Sequence, residues 1–174
     1  MSTLQAYVIF LLLIGCERLW ELRLSRMHAA ASMSRGGKEF GQGHYPPMVV
    51  LHTALLIGAP LEAWLAHRPF IPALGFSMLA LVVMAQMLRY WAITTLGDQW
   101  NTRVIVVPGA DRIHRGPYRW LTHPNYVAVV IEGLALPLIH TSWLTALVFS
   151  ILNLFLLRVR IRCEDAALAE LRHV

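Results

Sequence analysis

Five apolar runs dominate this chain and set what it can fold into. They cover about Leu4 to Trp20, Pro47 to Ala66, Ile71 to Ile93, Pro124 to Ile139 and Trp143 to Val159. A straight membrane-crossing helix needs roughly 20 apolar residues, with a range of about 17 to 25. The expected fold is therefore all-α and integral to a membrane, with about five transmembrane helices. The fourth run is short and holds Glu132 and Pro137. The first is read as a membrane helix rather than a signal peptide. It lacks a basic leading segment, and Glu17 and Arg18 follow its apolar stretch at once. Of the 174 residues, 57% are hydrophobic and 14% charged, against about a quarter charged in soluble domains. The length fits a single domain, with helices 1 to 3 in residues 1–96 and the last two in 97–174.

The formal charge of +5 raises nucleic acid as a partner. The basic residues, however, sit in loops beside apolar runs and form no separate basic patch. Arg18, Arg23, Arg26, Arg35 and Lys38 follow the first run. Arg103, Arg112, Arg115 and Arg119 follow the third, and Arg158, Arg160, Arg162 and Arg172 the fifth, while the opposite side offers Arg68. Under the positive-inside rule this sets the N-terminus outside and the C-terminus in the cytoplasm. No nucleic-acid role is expected. Cys16 and Cys163 have no metal-ligand spacing and are read as free thiols.

Two stretches lie outside the spans. Glu21 to Gln42 reads as an interfacial helix, broken at Arg35-Gly36-Gly37, and a loop that re-enters at His44-Tyr-Pro-Pro47. Gly97 to Thr122 reads as a cytoplasmic loop region between helices 3 and 4, with a short extended piece from Arg103 to Pro108. The link Ile139-His-Thr-Ser-Trp143 allows only a tight helical hairpin. That hairpin would bring Gly116-Pro-Tyr-Arg-Trp-Leu-Thr-His-Pro-Asn-Tyr126 beside Arg160-Ile-Arg-Cys-Glu-Asp165 on one side of the bilayer.

Helical spacing sharpens the pairing. Asn153, Leu157, Arg160 and Glu164 fall on one stripe of the fifth helix. Asn125, Val129 and Glu132 share a face of the fourth. Charged groups inside a span are costly and usually face a cavity or a partner. Arg160 with Glu164 also fits a plain surface pair, and Glu132 fits a bond to a neighbouring helix. His52 and Glu62 read as packing or structural polar groups. Trp100, Tyr118, Trp120 and Tyr126 fit an interfacial aromatic belt, and His123-Pro124 fits a simple helix start. Taken together, the set asks for more. Backbone N–H groups at that helix start suit a carboxylate, and tyrosine faces suit a sulfonium cation. No dinucleotide fingerprint, phosphate loop or His-Glu-x-x-His zinc motif is present, and no metal is expected.

Gly116-x-Tyr118, His123-Pro-Asn-Tyr126 and Arg160-x-x-x-Glu164 resemble the isoprenylcysteine carboxyl methyltransferase superfamily of integral-membrane, S-adenosylmethionine-dependent enzymes. Arg35-Gly-Gly-Lys-Glu39, His44-Tyr-Pro46, Leu51-His-Thr53 and Gly97-Asp-Gln-Trp-Asn-Thr-Arg103 look like the bacterial branch found beside type III polyketide synthases, held to O-methylate alkylpyrones and alkylresorcinols. The resemblance implies cofactor contacts at Ala110, Asp111 and Ile113, at Tyr118, at His123, Pro124, Asn125 and Tyr126, and at Glu164. It implies that Arg160 faces the methyl acceptor; Asn153, on the same stripe, and Trp100 are the further acceptor candidates. The chain has Glu164-Asp165 where that family often has two glutamates. A phenol, with a pKa near 10, needs help to ionise, and Glu132, His114 and Asp165 are the candidates to take its proton. The acceptor's apolar tail would enter from the bilayer. Other acceptors within this class are a prenyl-cysteine carboxylate, a phospholipid amine and a small thiol. The reading from another class is a small membrane scaffold whose polar loops bind a partner.

Overall fold

The chain's computed structural model describes residues 1–170, so Arg172 lies outside the described residues. Five α-helices follow in order: α1 Thr3–Ser34, α2 Tyr45–Leu65, α3 Pro72–Leu96, α4 Pro124–Leu138 and α5 Trp143–Glu170. Four of them include spans long and apolar enough to cross a membrane, and α4 is a shorter apolar helix. The all-helical membrane architecture expected from the five runs is thus what the chain adopts.

The helix starts follow from local chemistry. Ser2 and Gln5 form a reciprocal capping box on α1, each side chain bonding the other's backbone N–H. Prolines open α2, α3 and α4, where the missing N–H costs nothing. Glu62 of α2 caps α5 from outside, accepting from the Leu144 and Thr145 N–H groups and the Thr145 hydroxyl. Thr141, at φ 54°, turns the α4–α5 hairpin within four residues. The Ser142 hydroxyl ties that turn to the Ala59 carbonyl at 2.7 Å.

One expectation is corrected. The first span and the interfacial helix are one unbroken α1 of 32 residues. Glu21 to Ser34 lacks glycine and proline, so nothing stops the helix before Gly36. Gly36 takes φ 81° and Gly37 donates to the Ser32 carbonyl at 2.9 Å, which ends it where the sequence break was expected. The second half of α1 also buries Glu21, Ser25 and Ser32 against the protein. The extended piece is real but has a partner: β2, Val104–Val106, pairs antiparallel with β1, Lys38–Phe40. This two-stranded sheet joins the α1–α2 connection to the α3–α4 loop.

The core lies between the helices at mid-depth, around Tyr7, Leu11, Leu55, Ala59, Val82, Ala135, Leu136 and Phe149. Helices α4 and α5 pack so closely that a Cβ on Gly133 would sit 2.1 Å from the Phe149 ring. At roughly 1.5 Å per residue, the 15 residues of α4 fall short of the roughly 30 Å apolar slab. The 28 residues of α5 overshoot it. α5 therefore reaches past the start of α4, and the cavity lies beside that step, against the 99–113 loop.

Candidate active site

The two polar clusters that the sequence placed far apart meet where α4 begins and α5 passes it. The Tyr126 hydroxyl donates to Glu164 Oε2 at 2.6 Å. The His123 ring stacks on Tyr126 with centroids 5.2 Å apart. Its two nitrogens lie 3.7 Å from Glu164 and 3.5 Å from Asp165. Four steps back along α5, Arg160 places its guanidinium carbon 5.6 Å from the Tyr126 ring centre. Arg160 is buried, at 4% exposure. It donates to the Thr102 carbonyl at 2.9 Å and lies against the Met48 sulfur at 2.8 Å, while its Nε has no partner among the described residues. No carboxylate of the described residues forms an ion pair with it. A buried charge without a counter-charge is expensive.

These groups wall a cavity of about 450 Å³, within the roughly 300–1,000 Å³ of small-molecule sites. Ala110, Asp111, Ile113, Trp100, Tyr118, His123, Pro124, Asn125, Tyr126, Arg160 and Glu164 all line it. Four candidates do not, the first being His114, which is exposed in the loop after Ile113. Asp165 is exposed and touches the site only through His123. Asn153 is buried deeper on the α5 stripe, its Oδ1 without a partner. Glu132 is held by Arg89 of α3, which reaches both its oxygens, and Arg18 approaches at 3.7 Å. The helix-bonding alternative for Glu132 is the one its surroundings match. His52 and Glu62, read as structural, bond Met48 and the start of α5. Burial, and then the neighbouring Glu164 charge, push the Tyr118 phenol up, so it stays neutral beside the cavity.

Sequence reasoning missed two supports. One is Arg89, buried in mid-helix, which also donates to Asn125 Oδ1 at 3.1 Å. Its signal was a charge inside the third apolar run, one turn from Gln86. The other is Ser25 of α1, whose hydroxyl bonds Asn101 Oδ1, the Thr102 N–H and the Thr102 hydroxyl at 2.8–2.9 Å. It thereby fixes the loop whose Thr102 carbonyl holds Arg160. The cavity also takes Ser32 and Arg35 from α1 and Arg103 beside β2. Arg103 pairs with Glu39 of β1 at 3.4 Å and lies over the Tyr45 ring.

The profile of the isoprenylcysteine carboxyl methyltransferase (ICMT) family matches residues 78–170. The chain belongs to that family. It is 39% identical over 155 residues to "Uncharacterized protein YpbQ" of Bacillus subtilis strain 168, covering 88% of this chain and 91% of that protein. It is 26% identical over 155 residues to an "Uncharacterized protein" of Haemophilus influenzae strain Rd, covering 88% and 90%. ICMT proteins are membrane methyltransferases that use S-adenosylmethionine as methyl donor. The ICMT match begins within α3 and takes in every group of the Tyr126–Glu164–Arg160 wall. The capping and loop-fixing residues of α1 and α2 lie before it.

Proposed function

We propose that this chain is an S-adenosylmethionine-dependent O-methyltransferase acting on a lipophilic phenol or enol. A polyketide-derived alkylresorcinol or alkylpyrone hydroxyl is the preferred acceptor. The observation that carries the reading is Arg160. It is a buried guanidinium with no carboxylate partner among the described residues, on the wall shared with the Tyr126–Glu164 pair.

The cavity's donor set suits the proposed cofactor. The aromatic face of Tyr118 favours a sulfonium cation, and the Glu164 carboxylate can accept from an ammonium or from ribose hydroxyls. When bound, the cofactor supplies an electrophilic methyl group. The chain's residues do the rest. Tyr126 holds Glu164 in one orientation, and the cavity wall aligns the reactants and excludes water. Arg160, on the cavity wall, stabilises the acceptor oxyanion and lowers the cost of forming it. The acceptor proton leaves towards the His123–Asp165 side, because Glu132 is already held by Arg89. A prenyl-cysteine carboxylate needs no such proton step and is the first competing acceptor.

The acceptor tail enters from the bilayer, and the cofactor comes from the arginine-rich side, read as the cytoplasm of a bacterial inner membrane with the N-terminus outside. The motifs in residues 35–53 and 97–103 are what favour the polyketide-associated branch, and with it a functional link to a type III polyketide synthase. Calorimetry with S-adenosylhomocysteine tests the cofactor. Labelled-methyl assays on an alkylresorcinol and a prenylated cysteine, side by side, test the acceptor. Turnover of the prenyl-cysteine alone would overturn the preferred substrate.

A further inference from the structure

A buried cluster beneath the cavity is absorbed by no step above. Arg89 of α3, at 5% exposure, lies between Glu132 of α4 and Glu21 of α1. One edge of its guanidinium, Nε and one terminal nitrogen, takes both oxygens of Glu132. The other terminal nitrogen reaches Asn125 Oδ1 at 3.1 Å. Asn125 in turn lines the cavity, and its Nδ2 has no hydrogen-bond partner among the described residues. A carboxamide can present either its oxygen or its nitrogen at little cost. A guanidinium removes that choice, because it can only donate. The amide oxygen must face Arg89, so the N–H₂ group is the half left for the cavity.

The geometry points to Arg89 as a positioning residue that makes Asn125 a fixed hydrogen-bond donor to an acceptor atom of the bound methyl donor. The inference rests on the cofactor reading above. Glu132 is then the counter-charge that keeps Arg89 in the membrane with its fork aimed, rather than the group that takes the acceptor proton. Fixing the amide before binding removes an ordering cost from the ligand's affinity.

The test is S-adenosylhomocysteine calorimetry on the full-length protein in detergent, with thermal unfolding to confirm that each variant is folded. Asn125→Asp keeps the size and the partnership with Arg89 but loses the donor. It should weaken binding by about tenfold or more. Arg89→Lys keeps the charge beside Glu132 but loses the fork. It should weaken binding by several-fold, and add nothing further in an Asn125→Ala background, because its effect passes through that amide. If Arg89→Lys does not fold, Asn125→Asp alone decides. Wild-type affinity in Asn125→Asp would overturn the proposal. So would an Arg89→Lys loss that is as large without the Asn125 side chain as with it, since that marks general support of the fold. Failure of the wild-type protein to bind S-adenosylhomocysteine would overturn the cofactor reading itself, and this inference with it.

Discussion

The two ends of α5 meet charged groups of opposite character. At its start, the Glu62 carboxylate from α2 accepts two backbone N–H groups and the Thr145 hydroxyl, and pairs with Arg68 at 3.0 Å. Every part of that charge is answered by the protein. Towards the other end, Arg160 has a carbonyl, a sulfur and the Tyr126 ring for company, and among the described residues a buried Nε with no partner and no ion pair. Satisfied polar groups hold a fold together; an unanswered buried charge persists only where something else supplies the answer. The proposed function rests on that difference rather than on burial or residue type.

The largest effect should come from removing the unanswered charge. Arg160→Ala is expected to lower turnover roughly a hundred- to thousandfold, the usual cost of deleting one oxyanion donor, with S-adenosylhomocysteine affinity nearly intact. Arg160→Lys should recover only part of the rate, keeping charge but not the planar fork. The wild-type pH profile sharpens this. Tyr118 is pushed up and contributes nothing to the profile in the assay range, and a phenolic acceptor should give a rate that rises from about pH 6 to 9. A flat profile is expected for a carboxylate acceptor. Equal turnover of wild type and Arg160→Ala on every active acceptor would sink the assignment.

Glu164 lies between the two extremes, since its Oε2 is already engaged by Tyr126 at 2.6 Å and its carboxylate still faces the cavity. Glu164→Ala should weaken S-adenosylhomocysteine binding about ten- to hundredfold, the range for losing one charged hydrogen bond. Calorimetry showing wild-type affinity would remove Glu164 from the cofactor contacts and leave Tyr126 as its only role.

The same contrast explains what could be read from the sequence. The apolar runs gave the helices, because a bilayer leaves few other ways to bury such segments. Helical spacing gave the stripe of Asn153, Leu157, Arg160 and Glu164, and the short link at Thr141 gave its meeting with His123. Arg89 escaped because one charge in an apolar run shows its importance only through partners on other helices, here Glu132, Asn125 and Glu21. The unbroken α1 escaped because its polar half covers the loop at Asn101 and Thr102, a contact some 76 residues away in sequence. Pairing of β1 with β2 joins segments of three residues each, too short for any period to announce.

The smallest functional effect should come from the answered charge. Glu62→Ala leaves the Leu144 and Thr145 N–H groups and Arg68 without their acceptor. Unmet donors of this kind cost about 1–3 kcal/mol, so the variant should unfold at a lower temperature than wild type. Glu62→Gln keeps an acceptor oxygen for the helix end while losing the charge that Arg68 uses, and should fall between the two. Neither substitution changes a group that lines the cavity. Affinity for S-adenosylhomocysteine in the folded fraction should therefore match wild type, even as stability drops. A Glu62→Ala protein that melts normally but binds weakly would mean that the far end of α5 sets the geometry of the near one. The division between answered and unanswered charge would then fail as a guide to function along this helix.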